Sequence, residues 1–367
     1  MLESRALKIL ISGGGTGGHV FPAIAIAKML QSVNPDTHIE FVGASDRMEM
    51  QKVPEAGYKI HGLWISGFQR GALLKNLLLP FKIIYSLLKA ASIISNFKPD
   101  VVVGVGGFAS APTLYMAHRK GISTLVQEQN SFAGITNKIM AKRADKFCVA
   151  YDGMERFFPK DKIIKTGNPV RQDIIDKSIS REEALEFFGL SPDKKCILVV
   201  GGSLGAKTIN ESFQKGVEIL DFEKHQLIWQ TGKFYYNKLE EEVRPRTGLV
   251  LLDFLKRMDM AYAAADVIVS RAGALAISEL SLVQKPCILV PSPNVAEDHQ
   301  TKNAKALVEK EAAIMVKDAN ARDMLVEFVI SLLENEDLQK KLNENIKQFA
   351  LPNSTKDITK EIIELAK

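Results

Sequence analysis

A histidine directly behind a run of glycines is the first feature of this chain that could do chemistry. Residues 9–30 read ILISGGGTGGHVFPAIAIAKML. Gly13, Gly15 and Gly18 fit the spacing G-x-G-x-x-G between an apolar run and a helical pattern, and His19 follows at once. Such a turn lets backbone approach a phosphate while the helix start adds partial positive charge. An imidazole that titrates near neutrality is matched to taking a proton from an alcohol. The lysine of a P-loop is absent. A dinucleotide site needs an acid at the end of the second strand. Here that strand, HIEFVGAS, ends in Gly43, Ala44 and Ser45, with Glu40 inside it and Asp46 beyond. The nicotinamide reading is weakened accordingly. Glycine turns recur at 104–107, 201–205 and 271–273, each after an apolar run. No D-x-D occurs, so charge on a phosphate leaving group would be met by helix starts, backbone N–H groups and cations.

The elements that must position these residues come in two similar series. KILIS, THIEFVG, PDVVVGVGG, ISTLVQEQ and KFCVA read as strands with helical patterns between them. The turn-rich stretch TGNPVRQDI follows near residue 167. KKCILVVGGSLGAKTIN then restarts the pattern, and HQLIWQTG, GLVLLDFL, DVIVSRAG, KPCILVP and AAIMV continue it. Strands alternating with helices predict α/β domains with parallel sheets covered on both faces. Two doubly wound domains joined near Gly167–Arg171 are expected, with ligands at the C-terminal strand ends.

Composition agrees with a globular pair of domains. The chain has 367 residues, 46% hydrophobic and 25% charged. Cys148, Cys196 and Cys287 form no C-x-x-C, which favours a reducing cytoplasm. The start MLESRALKILIS lacks the long apolar core of a signal peptide. The net charge of +5 is uneven: residues 1–168 carry 21 Lys and Arg against 12 Asp and Glu, a net of +9. That half is expected to face something anionic.

Seven motifs in order carry a resemblance: GGGTGGHVFPA, GVGGFASAP (104–112), QEQN (127–130), TGNPVR (166–171), GGSLGA (201–206), SRAGALAISE (270–279) and EDHQ (297–300). Together they resemble the MurG family of bacterial N-acetylglucosaminyltransferases. Phe108 departs from the family, where many members carry tyrosine. The resemblance implies the GT-B architecture: two Rossmann-like, doubly wound parallel-sheet domains facing a central cleft. It implies an acceptor domain over 1–168, a donor domain over 169–350, and a last helix at about 351–367 returning to the first. It implies transfer of N-acetylglucosamine, with inversion, from UDP-N-acetylglucosamine to the C4 hydroxyl of the muramoyl sugar of lipid I. No cofactor or metal and no nucleic-acid partner are expected.

The resemblance also distributes roles. Glu279 would accept hydrogen bonds from the ribose hydroxyls, with Ala274, Leu275, Ala276, Ile277 and Ser278 before it on the donor. Leu255 would meet the uracil and Gln300 the sugar hydroxyls. Ser203 and Arg171 would face the donor phosphates. Asn130, Thr16, Gly17 and Gly18 would approach the donor sugar from the first domain. Gly14, Gly15, Gly106 and Gly107 would face the acceptor diphosphate. His19 and Glu128 are rival bases. His38, His61, His118 and His225 lie in no motif.

Between Glu55 and Asp100 there is no acid, and the window holds GALLKNLLLPFKIIYSLLKAASIISNF. Lys75, Lys82 and Lys89 interrupt it, and each would cost roughly 2.5–3.5 kcal/mol at a bilayer centre. Pro80 would open a second helix. The seven-residue spacing places the lysines on one face of a continuous helix, drifting ~20° per repeat, beside apolar residues such as Leu74, Leu78 and Phe81. The stretch reads as an interfacial contact with the anionic inner membrane, on its cytoplasmic face. A soluble UDP-sugar epimerase of the same architecture leaves that stretch without purpose. A non-enzymatic nucleotide-binding regulator does the same for His19 and Glu128.

Overall fold

The computed structural model describes residues 6–67, 77–170, 174, 179–202, 204–295 and 298–367. The chain divides into two compact units, Met1–Val170 with Asn353–Lys367, and Arg171–Pro352.

The first unit is built on seven parallel strands: β1 (Lys8–Ser12), β2 (His38–Ala44), β3 (Lys59–Leu63), β4 (Val101–Gly104), β5 (Ser123–Glu128), β6 (Lys146–Val149) and β7 (Ile163–Lys165). Their order is β3-β2-β1-β4-β5-β6-β7. Alternate residues of the central strands serve opposite faces. Ile9, Ile11, Val101 and Val103 join one buried cluster, and Leu10 and Val102 join the other. This is why the strands read as continuous apolar runs. The helix Gly17–Val33 lays Val20, Ala23, Ile26, Ala27 and Leu30 on the sheet, the three-and-four spacing of a buried stripe. The helix Ser354–Leu365 packs on the same face through Ile358 and Ile362, both fully buried. Each contributes about 1.5–3 kcal/mol of hydrophobic stabilisation. Lys146 on β6 bonds Glu361 and Glu364 of that helix.

The second unit has six parallel strands: β8 (Lys195–Val200), β9 (His225–Gln230), β10 (Leu249–Leu252), β11 (Val267–Ser270), β12 (Cys287–Leu289) and β13 (Ile314–Met315). Their order is β10-β9-β8-β11-β12-β13. Its core joins Ile197, Val199, Phe213 and Trp229 to Leu325, Val329 and Leu332 of the helix Asp318–Glu334. Both sheets therefore reverse direction beside their first strand, between β1 and β4 and between β8 and β11, which places the following loops at a topological switch point.

Candidate active site

In the first unit, the loops after β1 and β4 meet at the switch point. Gly14 N–H donates to the Gly106 carbonyl at 3.2 Å. A methyl group on Gly107, whose φ is +88°, would lie 2.3 Å from the Gly14 oxygen, so only glycine permits this approach. The turn is held from below by Glu49, which is buried. Its carboxylate accepts from Gly15 N–H at 2.8 Å and from Ala44 N–H at 2.9 Å. The amides of Gly14 and Gly15 are thus committed within the protein. The expectation that they face an acceptor diphosphate is corrected on that ground. The first amides of the helix Gly17–Val33, those of Gly17 and Gly18, have no intrahelical acceptor by position. Thr16 stands at its N-cap.

His19 sits in the first turn of that helix, partly exposed. Its Nδ1 lies 3.0 Å from the Gly14 carbonyl and 3.3 Å from Thr16 Oγ1. A carbonyl only accepts, so Nδ1 carries a proton, and in the neutral form of the ring the lone pair is on Nε2. A methyl group on Gly106 would lie 2.8 Å from Nε2. The second glycine loop therefore makes room for this ring.

Glu128, the rival base, ends β5 and is fully buried. Its Oε1 accepts from Asn130 N–H at 3.0 Å and Asn130 Nδ2 at 3.3 Å. Its Oε2 accepts from Gly134 N–H at 3.0 Å and Asn137 Nδ2 at 2.8 Å. Burial pushes its carboxyl above the usual range, against the pull of these bonds. Four donors tie this carboxylate to the loop that carries Asn130. Around it, Gln127 donates to Asn168, Gln129 donates to Gln127 and to Val105 O, and Asn168 donates to Gln129 O. This buried amide network accounts for much of QEQN and TGNP.

In the second unit the loop after β8 is fastened to the end of β9. Gln230 Nε2 donates to Gly202 O at 2.9 Å. A methyl group on Gly205 would lie 2.0 Å from Thr231 O, and one on Gly232 would lie 2.4 Å from Gly205 N. After β11, the helix Ala274–Val283 begins. Ala274 and Ile277 are buried, so they can offer a ligand only backbone, while Leu275, Ala276, Ser278 and Glu279 are partly exposed. Ser278 Oγ donates back to Ala274 O at 3.1 Å. Tyr262 Oη donates to Glu279 Oε2 at 2.9 Å and orients that carboxylate. Arg271 pairs with Asp318, which also accepts from Thr208, so the arginine of SRAG holds the fold together. Gln300 accepts from Ser292 N–H at 2.8 Å through Oε1, which directs its NH2 group as a donor. Leu255 is buried, and its exposed neighbour Phe254 is the apolar side chain presented there. Arg171 and Ser203 lie outside the described residues, as do Leu74 and Lys75.

Along the acid-free window the helix Leu79–Phe97 has Pro80 in its first turn. The lysine stripe is corrected. Lys82 turns inward, its Nζ donating to Ser66 Oγ at 2.9 Å and lying 5.4 Å from the Trp64 ring, while Lys89 is exposed. The outer face is apolar instead, with Leu77, Leu78, Phe81, Ile84, Tyr85 and Leu88 all exposed. No helix among the described residues is long and apolar enough to cross a membrane.

Glu49, Tyr262, Asn137 and Phe254 were not legible as site residues. Their partners come from other elements, and only Glu49, in the segment DRMEM close behind β2, offered a signal.

Known proteins match this architecture. The N-terminal domain of glycosyltransferase family 28 matches residues 9–149 and its C-terminal domain matches residues 196–362. A Cytophaga hutchinsonii protein is 56% identical over 365 residues, covering 100% of this chain and 98% of its own. It is named UDP-N-acetylglucosamine–N-acetylmuramyl-(pentapeptide) pyrophosphoryl-undecaprenol N-acetylglucosamine transferase. A Bacteroides fragilis protein of the same name is 54% identical, covering 99% of this chain and 97% of its own. The crystal structure of Acinetobacter baumannii MurG superposes with a TM-score of 0.79 at 29% identity, covering 98% of this chain and 99% of that one. On these matches, and on two sheets that share one strand order, the chain belongs to glycosyltransferase family 28 and has its GT-B fold.

Proposed function

We propose that this protein transfers N-acetylglucosamine from UDP-N-acetylglucosamine to the C4 hydroxyl of the muramoyl sugar of lipid I, with inversion, giving lipid II for the cell wall. The substrates follow the names of its full-length relatives. The observation that carries the chemistry is the His19 ring, whose Nδ1 is held by the Gly14 carbonyl. In the tautomer that this bond favours, Nε2 is the nitrogen that takes the acceptor hydroxyl proton as the oxygen attacks the anomeric carbon. Glu128 serves as a positioning residue for Asn130.

On the donor side, Glu279, oriented by Tyr262, accepts from the two ribose hydroxyls. The Gln300 NH2 group donates to the sugar. The start of the helix Ala274–Val283 offers its amides and dipole to the departing diphosphate, together with Arg171 and the loop at Ser203. Thr16, Gly17 and Gly18 would serve the donor sugar, and Gly106 and Gly107 the acceptor diphosphate.

The acceptor is lipid-borne, and the apolar face from Leu77 to Leu88 supplies a peripheral contact with the cytoplasmic leaflet of the inner membrane. Lys89 adds electrostatic attraction to its anionic headgroups. The double variant Phe81→Ser, Leu88→Ser removes roughly 3 kcal/mol of apolar burial, so binding to anionic vesicles should fall about a hundredfold. Unchanged sedimentation with vesicles would remove this face from the proposal.

Incubation with UDP-N-acetylglucosamine and a short-chain lipid I analogue tests the whole reading. UDP release with appearance of the disaccharide is expected. UDP release that needs no acceptor, or epimerised sugar nucleotide in place of disaccharide, would overturn it.

A further inference from the structure

We propose that Glu49 is a positioning residue for the transfer, acting through the glycine turn on the tautomer and aim of His19. The inference rests on the reading of His19 as the base. Glu49 is 1% exposed, and among the described residues no lysine or arginine pairs with it. Burying a carboxylate without a cation is costly unless good donors meet its oxygens. Here both oxygens are met by backbone amides, Gly15 N–H at 2.8 Å and Ala44 N–H at 2.9 Å.

Two glycines give way to the side chain. A methyl group on Gly14 would lie 2.1 Å from Glu49 Oε1, and one on Gly43 would lie 2.5 Å from its Cγ. The turn therefore closes onto Glu49, and Glu49 pins it to the end of β2. Gly14 precedes the pinned residue, and its carbonyl fixes the His19 proton on Nδ1 at 3.0 Å. If the pin is lost, Glu49 no longer ties Gly15 to the end of β2, and the aim of the Gly14 carbonyl is left to the bonds from Gly13 N–H to Val42 O and from Gly14 N–H to Gly106 O. The ring can then exchange its proton between nitrogens, and the tautomer with Nε2 protonated cannot accept from the acceptor hydroxyl.

Glu49→Gln keeps the shape but turns one acceptor oxygen into an NH2 group facing an amide donor. We expect kcat to fall about tenfold or more, part of the ~100-fold or greater effect of a general base, while UDP affinity stays at the parental value. A merely structural loss would multiply with the loss from His19→Ala. A loss routed through the ring should vanish in the His19→Ala background. In protein labelled with 15N-histidine, the neutral His19 ring should shift from the Nδ1–H tautomer toward a mixture. Glu49→Asp retains charge but is too short to span both amides, and it carries the same expectations should Glu49→Gln fail to fold. Parental kcat, an unchanged tautomer, or full multiplication with His19→Ala would overturn the role of Glu49. A near-parental kcat for His19→Ala itself would instead overturn the assignment of the base.

Discussion

The two units share a strand order and a glycine turn after the first strand, yet they spend that turn differently. In the first unit the turn's amides are consumed internally, by Gly106 O and by Glu49. What the turn offers is a carbonyl, and the carbonyl holds a histidine. In the second unit the corresponding turn is pressed against Thr231 and Gly232, and the carboxylate of Glu279, proposed for the ribose, stands on the helix after β11, oriented by Tyr262. A glycine turn at a switch point is therefore a scaffold rather than a phosphate site by default. The acceptors built beneath it decide whether it binds an anion or mounts a base.

The largest expected break in this comparison is His19→Ala. Turnover should fall by about a hundredfold or more, with calorimetric UDP binding close to parental because the donor residues sit on the other unit. If Glu128→Gln abolishes turnover while His19→Ala barely lowers it, the roles of the two are exchanged. Glu279→Ala should do the opposite on the second unit. It raises the donor Michaelis constant roughly ten- to a hundredfold, the scale of lost charge-assisted hydrogen bonds, with a smaller change in kcat. Steady-state kinetics over a donor range separates the two, and an unchanged donor constant would count against ribose recognition.

A sharper probe is Gly106→Ala. The added methyl meets the His19 ring at 2.8 Å, and φ at this residue is +94°. Turnover should drop about tenfold through displacement of the base, a fraction of the His19→Ala effect. Equal activity in Gly106→Ala would mean that the second loop does not fix the ring.

The smallest effect concerns acid stability of the second unit. Burial holds the His225 imidazole below its ordinary value, with Asp221 and Glu334 opposing. The unfolded chain then binds the proton more readily, so the contribution is present above about pH 6.5 and is lost as pH falls below it. Denaturation monitored between pH 7.5 and 5 should show less acid sensitivity in His225→Gln than in the parent.

Much of the scaffold was readable because buried parallel strands are apolar on both faces. KILIS and DVIVS announce themselves, and so do the glycines that follow them. β3 and β7 were missed, since KIHGL and IIK are short segments at the sheet edges and need no continuous apolar run. The motif residues were found, but their partners were not. Glu128 was legible as a candidate base, but not the donors from Asn130, Gly134 and Asn137 that fold back onto it. Lys82 resembled part of a surface stripe because spacing alone cannot show Ser66 and Trp64 waiting beneath it. Both omissions have one cause: such hydrogen bonds have no periodic signature.

The helix Ser354–Leu365 belongs to the unit that is translated first. During synthesis β1 to β7 emerge long before Ile358 and Ile362, which finish the core around Ile9 and Ile26. The whole of Arg171–Pro352 leaves the ribosome in between. The second unit can thus complete its core on an uninterrupted stretch of chain, whereas the first must wait, with part of one sheet face uncovered, until Ser354–Leu365 has been made. A stop codon a few residues before Ser354 would therefore injure the His19 unit, more than 300 residues upstream, and leave the core of the second unit complete.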